Sequence, residues 1–85
     1  MTLLRVHTKT LSYCAQCHMT LRVAGSKGIA TEELPGIDTP ERAEELAVFK
    51  SEHSLSAAPI VEAVVDGVVV ERWAGFRPDR IEAYA

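Results

Sequence analysis

Cysteine is scarce in this sequence, with only two residues among 85. Two cysteines close together in a cytosolic chain argue against a structural disulfide framework, because cellular reductants keep such thiols reduced. Long apolar runs are also missing, and none approaches the roughly 20 residues that a membrane-spanning helix needs. The opening residues, MTLLRVHTKTL, lack a sustained apolar segment and a small-residue cleavage site. We therefore expect no signal peptide and a cytoplasmic protein.

An excess of basic charge is absent as well. Twelve acidic residues outnumber nine basic ones, the net charge is −3, and the basic residues are scattered along the chain. Nucleic-acid binding needs clustered Lys and Arg, so we expect no nucleic-acid partner, and the short apolar runs lead us to expect no membrane partner. With 47% apolar and 25% charged residues, the chain belongs to the ordinary globular class. Its length fits one small domain over residues 1–85, which we expect to be monomeric.

Strand-like and helix-like patterns alternate along the chain. The predicted order is β-α-β-α-β-β-α: a strand at 2–8, a helix at 15–27, a strand at 28–34, a helix ending near 51–53, a hairpin in 59–73 turning at Asp66-Gly67, and a short helix in 77–85. A βαβ unit gives parallel strands, and the hairpin extends the sheet in antiparallel fashion. The sequence therefore predicts an α/β fold with a four-stranded mixed sheet covered by three helices.

The helix patterns also predict local details. In the first helix, Cys17, Leu21 and Ala24 fall on one face, which we expect to be buried. At the second helix, Asp38 or Thr39 is expected to cap the N-terminus.

The segment CAQCH, residues 14–18, has several possible chemical meanings. C-x-x-C-H is the attachment pattern of a c-type haem, with His18 as an axial ligand, whereas C-x-x-C beside a βαβ pattern is a redox dithiol. Zinc held by Cys14 and Cys17 with His7, His18 or His53 is a further alternative, and so are two buried structural cysteines. The βαβ pattern favours the dithiol.

Placed at the start of a helix, the two cysteines have different surroundings. Cys14 precedes the first turn, where unpaired backbone N–H groups favour a thiolate, and we expect it to be solvent-accessible. Cys17 lies one turn later on the inward face. We therefore predict that Cys14 is the nucleophile and Cys17 the resolving thiol, which attacks a mixed disulfide formed through Cys14.

Three segments resemble one known family. CAQC is similar to the C-x-Q-C of NrdH-type redoxins, WAGFRPDRI at 73–81 is very like their W-S-G-F-R-P signature, and Ala58-Pro59-Ile60-Val61 resembles their A-P-V-V. These redoxins are glutaredoxin-like proteins of the thioredoxin fold. The resemblance implies a cis bond before Pro59, which would expose the backbone of Ala58 to an extended partner chain.

The resemblance also implies roles near the C-terminus. In the family, the segment matching Trp73 to Arg77 is a hydrogen-bonded loop near the active site and part of the surface for thioredoxin reductase. Gly75 is expected to adopt a φ that other residues resist, and Arg77 to cap or bridge the last helix. Trp73 and Phe76 could equally be core aromatics.

The implied function is a dithiol electron carrier. It would accept electrons from thioredoxin reductase and pass them to ribonucleotide reductase, with the Cys14–Cys17 disulfide as its redox centre and no bound cofactor. The glutathione-binding residues usual in glutaredoxins are not found here, and Lys9 stands five residues before Cys14 instead of three. A glutathione-dependent glutaredoxin and a non-catalytic binding module remain the alternatives.

Overall fold

The computed structural model describes all residues from Met1 to Ala85. The elements follow the predicted order: β1 (Thr2–Thr8), α1 (Ala15–Ser26), β2 (Ala30–Pro35), a 3-10 turn (Pro40–Arg42), α2 (Ala43–His53), β3 (Ile60–Val65), β4 (Val68–Ala74) and α3 (Pro78–Glu82). The four strands form one sheet in the order β2-β1-β3-β4. β1 runs parallel to β2 and antiparallel to β3, and β3 pairs antiparallel with β4. The predicted mixed, helix-covered α/β sheet is confirmed.

One face of the sheet carries the larger core. Leu4 in β1 and Val61 in β3 pack there with Ala24 of α1 and Ile81 of α3. Leu4 and Ile81 are both fully buried, and burial of side chains of this size contributes about 1.5–3 kcal/mol each. The first and last helices are therefore held against the same side of the sheet.

The opposite face carries a smaller core beneath α2. Phe49 from α2 packs with Ile60 of β3 and with Ile37 from the segment between β2 and α2. All three residues are buried. This cluster fixes the start of β3 and the segment around Ile37, both of which lie beside the functional site described below.

The tight turns use residues suited to positive φ. Asp66 and Gly67, with φ of 51° and 83°, join β3 to β4 as the sequence predicted. The last helix begins at Pro78, where the missing N–H of proline is tolerated.

The structure departs from the sequence expectation at two helices. In α1, Cys17 and Ala24 are buried as expected and Leu21 packs half-buried against the core, but Thr20 is fully buried on this face as well. Thr20 is tolerated inside because its hydroxyl donates to the carbonyl of Gln16 at 2.8 Å. The expected side-chain cap of the second helix is missing. The chain forms a 3-10 turn before α2, and Thr39, which precedes this turn, makes no side-chain cap bond.

Candidate active site

The two cysteines form a disulfide at the start of α1. Cys14 is the N-cap residue and Cys17 lies in the first turn, with 5.3 Å between their Cα atoms. The amide of Cys17 donates to Sγ of Cys14 at 3.2 Å. A helix N-terminus that directs an N–H at sulfur stabilises a thiolate there. The predicted placement of the pair is confirmed.

The exposure of Cys14 differs from expectation. It is only 7% exposed, against 3% for Cys17, so the expectation of an accessible Cys14 is wrong. Its sulfur is turned inward, toward the first turn of α1, where it accepts the Cys17 amide. A cleft of about 470 Å³ beside the disulfide, lined by Leu11, Tyr13 and His18 among others, gives access to the sulfurs. A partner must therefore approach through this opening.

The segment after β4 is hydrogen-bonded to the active-site helix. The amide of Phe76 donates to Oε1 of Gln16, the second of the two residues between the cysteines, at 2.8 Å. The amide of Gly75 donates to the carbonyl of Pro59 at 2.8 Å. Gly75 has the expected positive φ, +82°, and a Cβ there would meet Gln16 Oε1 at 3.0 Å. Residues 75–77, which we call the C-terminal loop, are thus joined to both Gln16 and Pro59.

The Ala58–Pro59 peptide bond is cis, as the resemblance implied. It directly precedes β3, and Pro59 is fully buried while Ala58 is half-buried. Through the bond between Gly75 and Pro59, this segment lies next to the C-terminal loop. The three segments that resembled one family in the sequence are therefore adjacent in the fold.

Trp73 is a core residue. It is 3% exposed and stacks on Tyr84 with 6.2 Å between ring centroids. Strand alternation places it on the face of the sheet covered by α1 and α3, so the idea that Trp73 contacts a partner directly is wrong. Phe76 is half-buried against the same core. Trp73 belongs to the core against which Phe76 of the C-terminal loop packs.

Arg77 bridges the last helix, as expected. It is the N-cap residue of α3, and its guanidinium donates to the Asp79 carboxylate at 3.2 and 2.9 Å. These bonds and the attraction of the carboxylate raise the pKa of Arg77 and lower that of Asp79. The side chain remains 45% exposed, so it can meet a partner while it orders the start of α3.

Beneath α2 lies a charged network that the sequence reasoning missed. Nε2 of His7 lies 2.7 Å from Oε1 of Glu62, and an Arg42 nitrogen lies 2.6 Å from Nδ1 of His7. Arginine can only donate, so Nδ1 accepts and Nε2–H donates to Glu62. Arg72 donates to the other Glu62 oxygen at 3.0 Å. Both ring nitrogens of His7, one of the zinc candidates, are thereby used.

The Glu62 carboxylate is held in its charged form. Burial works against ionisation, but the bonds from His7 and Arg72 outweigh it and lower the pKa of Glu62 below its usual 4.5. A glutamate in the otherwise apolar run IVEAVV was the available signal, since a charge in a buried strand needs a partner. The partner itself is 55 residues away in sequence.

No three His, Cys, Asp or Glu side chains are grouped as a metal ion would require. None of the helices has the length and apolar character needed to cross a bilayer.

Comparison with solved structures supports the family resemblance. The glutaredoxin-like protein NrdH-redoxin from Escherichia coli superposes with a TM-score of 0.72 and 28% identity, over 98% of this chain and 95% of that one. A glutaredoxin from Archaeoglobus fulgidus gives 0.62 and 20% identity, over 98% and 83% of the two chains. Thioredoxin from Fasciola hepatica gives 0.60 and 15%, over 99% and 81%. The last two similarities concern the fold alone.

Sequence comparisons add no closer relative, since neither a protein-family profile nor a curated protein sequence matches the chain. The structural similarity covers nearly the whole molecule, and the motif cysteines form the disulfide that a redoxin requires. The chain therefore has the thioredoxin fold and is similar over nearly its whole length to the glutaredoxin-like protein NrdH-redoxin.

Proposed function

We propose that the protein is a cytoplasmic dithiol electron carrier that is reduced by thioredoxin reductase and reduces ribonucleotide reductase. Its redox centre is the Cys14–Cys17 pair, and it works without a bound cofactor. The similarity to NrdH-redoxin, whose activity profile is described as thioredoxin-like, supports this proposal.

The proposed exchange has two steps. In the reduced protein, the Cys14 thiolate attacks one sulfur of the partner disulfide, forms a mixed disulfide and releases the other partner sulfur, which takes up a proton. Cys17 then loses its proton and attacks Sγ of Cys14, so that the internal disulfide forms and the second partner thiol leaves. Two electrons pass to the partner, and NADPH returns them through the reductase. The amide of Cys17 that donates to Sγ of Cys14 favours the first attack.

The choice of thioredoxin reductase over glutathione rests on the hydrogen bonds that two amides of the C-terminal loop already make within the protein. A flexible tripeptide such as glutathione needs fixed donors beside the dithiol. Here the amide of Gly75 is bonded to Pro59 and the amide of Phe76 to Gln16. Because these two donors are already used inside the protein, glutathione would have to displace them or rely on the backbone of Ala58 alone. A protein reductant that docks by contact with the surface does not need to displace these hydrogen bonds.

Partner contacts are proposed on both sides of the disulfide. The backbone of Ala58 would pair with an extended segment of the partner. Phe76 and Arg77 would meet the reductase, since one is half-buried and the other almost half exposed. Buried Trp73 acts only through the loop that it supports.

The test compares two reducing systems with the oxidised protein. NADPH with thioredoxin reductase should reduce it efficiently, whereas glutathione with glutathione reductase should act slowly. Phe76→Ala should weaken the first reaction, and Val68→Ala, which truncates an exposed valine at the far end of β4, should not. Faster reduction by glutathione would identify a divergent glutaredoxin instead, and unchanged reduction of a partner by Cys14→Ser would identify a binding module.

Delivery to ribonucleotide reductase is tested separately. The protein should support deoxyribonucleotide formation when it is the sole dithiol supplied with NADPH and thioredoxin reductase. If it is readily reduced but ribonucleotide reductase stays inactive, another disulfide protein is the acceptor.

A further inference from the structure

Residues 9–13, which we call the active-site loop, connect β1 to Cys14 and are held by one side chain from another part of the chain. The amide of Thr10 donates to Oδ1 of Asp38 at 2.8 Å, and the amide of Leu11 donates to Oδ2 at 2.9 Å. Both carboxylate oxygens are therefore used on adjacent amides of the loop. This is the role that Asp38 has in place of the expected helix cap.

Asp38 is itself attached to a fixed part of the fold. The two residues before it, Gly36 and Ile37, donate their amides to the carbonyl of Thr8 at 2.8 and 3.0 Å. Ile37 is 3% exposed and packs with Phe49 and Ile60. The carboxylate thus fixes the active-site loop to a packed core, although the side chains of the loop itself are mostly exposed.

The active-site loop determines what a partner meets near the disulfide. Leu11 and Tyr13 are 70% and 77% exposed, whereas Cys14 is 7% exposed. The ring of Tyr13 stacks on His18, with 5.1 Å between centroids. Because these side chains line the opening that leads to the sulfurs, a partner disulfide cannot reach Cys14 without contacting them.

We propose that Asp38 is a positioning residue for disulfide exchange, which holds the active-site loop so that Leu11 and Tyr13 present a preformed apolar surface to the polypeptide around a partner's disulfide. This role rests on the proposed dithiol function. A small thiol reagent does not cover these side chains and should not depend on Asp38. Without the carboxylate, the loop would have to be ordered again at every encounter with a protein.

The test uses the reduction of insulin by the protein, with dithiothreitol as the electron source so that no reductase is involved. Ordering two large side chains on binding is expected to raise the KM of Asp38→Ala for insulin roughly tenfold, with little change in kcat. Asp38→Asn keeps one acceptor oxygen and should lie between wild type and Asp38→Ala. Glu44→Gln removes the same charge from an exposed position on α2 and should match wild type.

Two further measurements separate positioning from a general defect. Hydrogen exchange at the amides of Thr10 and Leu11 should accelerate in both Asp38 variants. Alkylation of Cys14 by iodoacetamide in the reduced protein should keep its wild-type rate. If Asp38→Ala does not fold, Asp38→Asn carries the comparison.

The outcomes are distinguishable. A wild-type KM in a variant whose two amides exchange freely would overturn the role of Asp38 and leave the dithiol function standing. An equal fall in insulin reduction and alkylation would also overturn it, because Asp38 would then act on the thiol itself. Failure of the wild-type protein to reduce insulin would remove the proposed function and this role together.

Discussion

Gln16 Oε1 and the amide of Phe76, 60 residues apart in the chain, form a hydrogen bond of 2.8 Å that joins the middle of the CxxC motif to the C-terminal loop. The bond gives Gln16 a function that its neighbour in the motif, Ala15, cannot have. The bond needs both a glutamine between the cysteines and a glycine before Phe76. Gln16 supplies the acceptor, and Gly75 leaves room for it.

Replacing Gln16 should alter the choice of reductant. Gln16→Ala removes the acceptor, so the Phe76 amide should exchange faster, and its donor becomes available to glutathione. A hydrogen bond worth about 1 kcal/mol corresponds to roughly a fivefold change, which we expect as a rise in the rate with glutathione relative to thioredoxin reductase. Met19→Ala, an exposed position on the same helix, is the control. An unchanged ratio in Gln16→Ala would show that the bond does not exclude glutathione.

Substitution of Gly75 by alanine tests the contact with Gln16, and the same substitution at Gly25, which has no such neighbour, is its control. Gly75→Ala places a Cβ 3.0 Å from Gln16 Oε1 at a φ of +82°, and we expect a loss of about 2 kcal/mol in the free energy of unfolding. Gly25→Ala, in α1 with nothing within 4 Å of its new Cβ, should be neutral or stabilising by about 0.5 kcal/mol. Urea unfolding measures both.

A double substitution identifies the source of the cost at Gly75. If the contact with Gln16 contributes, Gly75→Ala should cost less when Gln16 is already alanine. Equal costs in both backgrounds would assign the whole effect to the backbone conformation.

The order of attack predicts opposite behaviour for the two cysteines. Cys17→Ser should accumulate a stable mixed disulfide with a partner protein, because the resolving thiol is gone, while Cys14→Ser should lose both activity and trapping. Non-reducing electrophoresis and mass spectrometry detect the adduct. Equal trapping by both variants would contradict the assignment of Cys14 as nucleophile.

The Glu62 network predicts a dependence of stability on pH. Since the pKa of Glu62 in the folded protein lies below its usual 4.5, the contribution of this carboxylate is complete above that value and is lost as the pH falls through the lowered pKa. Glu62→Gln leaves one acceptor oxygen for two donors, His7 and Arg72, and should cost about 2 kcal/mol near neutral pH.

The cost of Glu62→Gln should shrink in acid. Urea unfolding at several pH values measures it, with Glu52→Gln, an exposed glutamate on α2, as the control for removal of a charge. A cost that stays constant well below pH 4.5 would mean that the carboxylate charge is not what the network uses.

The order of the elements could be predicted because each one leaves a local pattern. The β-branched runs, the Asp66-Gly67 turn and the proline at the start of the last helix act over a few residues, and the structure has all of them where they were expected. The placement of Cys14 at the helix start follows from the same local reasoning. The buried face of α1 was also predicted, except for Thr20, which is buried because its hydroxyl bonds to its own helix.

The contacts that complete the site are nonlocal. Asp38 follows a turn-forming segment and looked like a helix cap, but its carboxylate reaches back to amides 27 and 28 residues earlier. His7 and Glu62 become partners only when β1 and β3 pair in the sheet. Residues of this kind can be named as candidates from the sequence, whereas their partners require the folded topology.

The disulfide closes a very short segment, since its two cysteines are three positions apart. Loop-closure entropy assigns about 2 kcal/mol to a cross-link of this span, against nearly 5 kcal/mol for one that closes about 100 residues. Oxidation therefore changes the chain entropy of the unfolded molecule by less than half as much as a long-range cross-link would. By linkage, about 2 kcal/mol still makes folding roughly 30-fold more favourable for the oxidised chain than for the reduced one, so the redox state of this pair and the folding equilibrium are coupled.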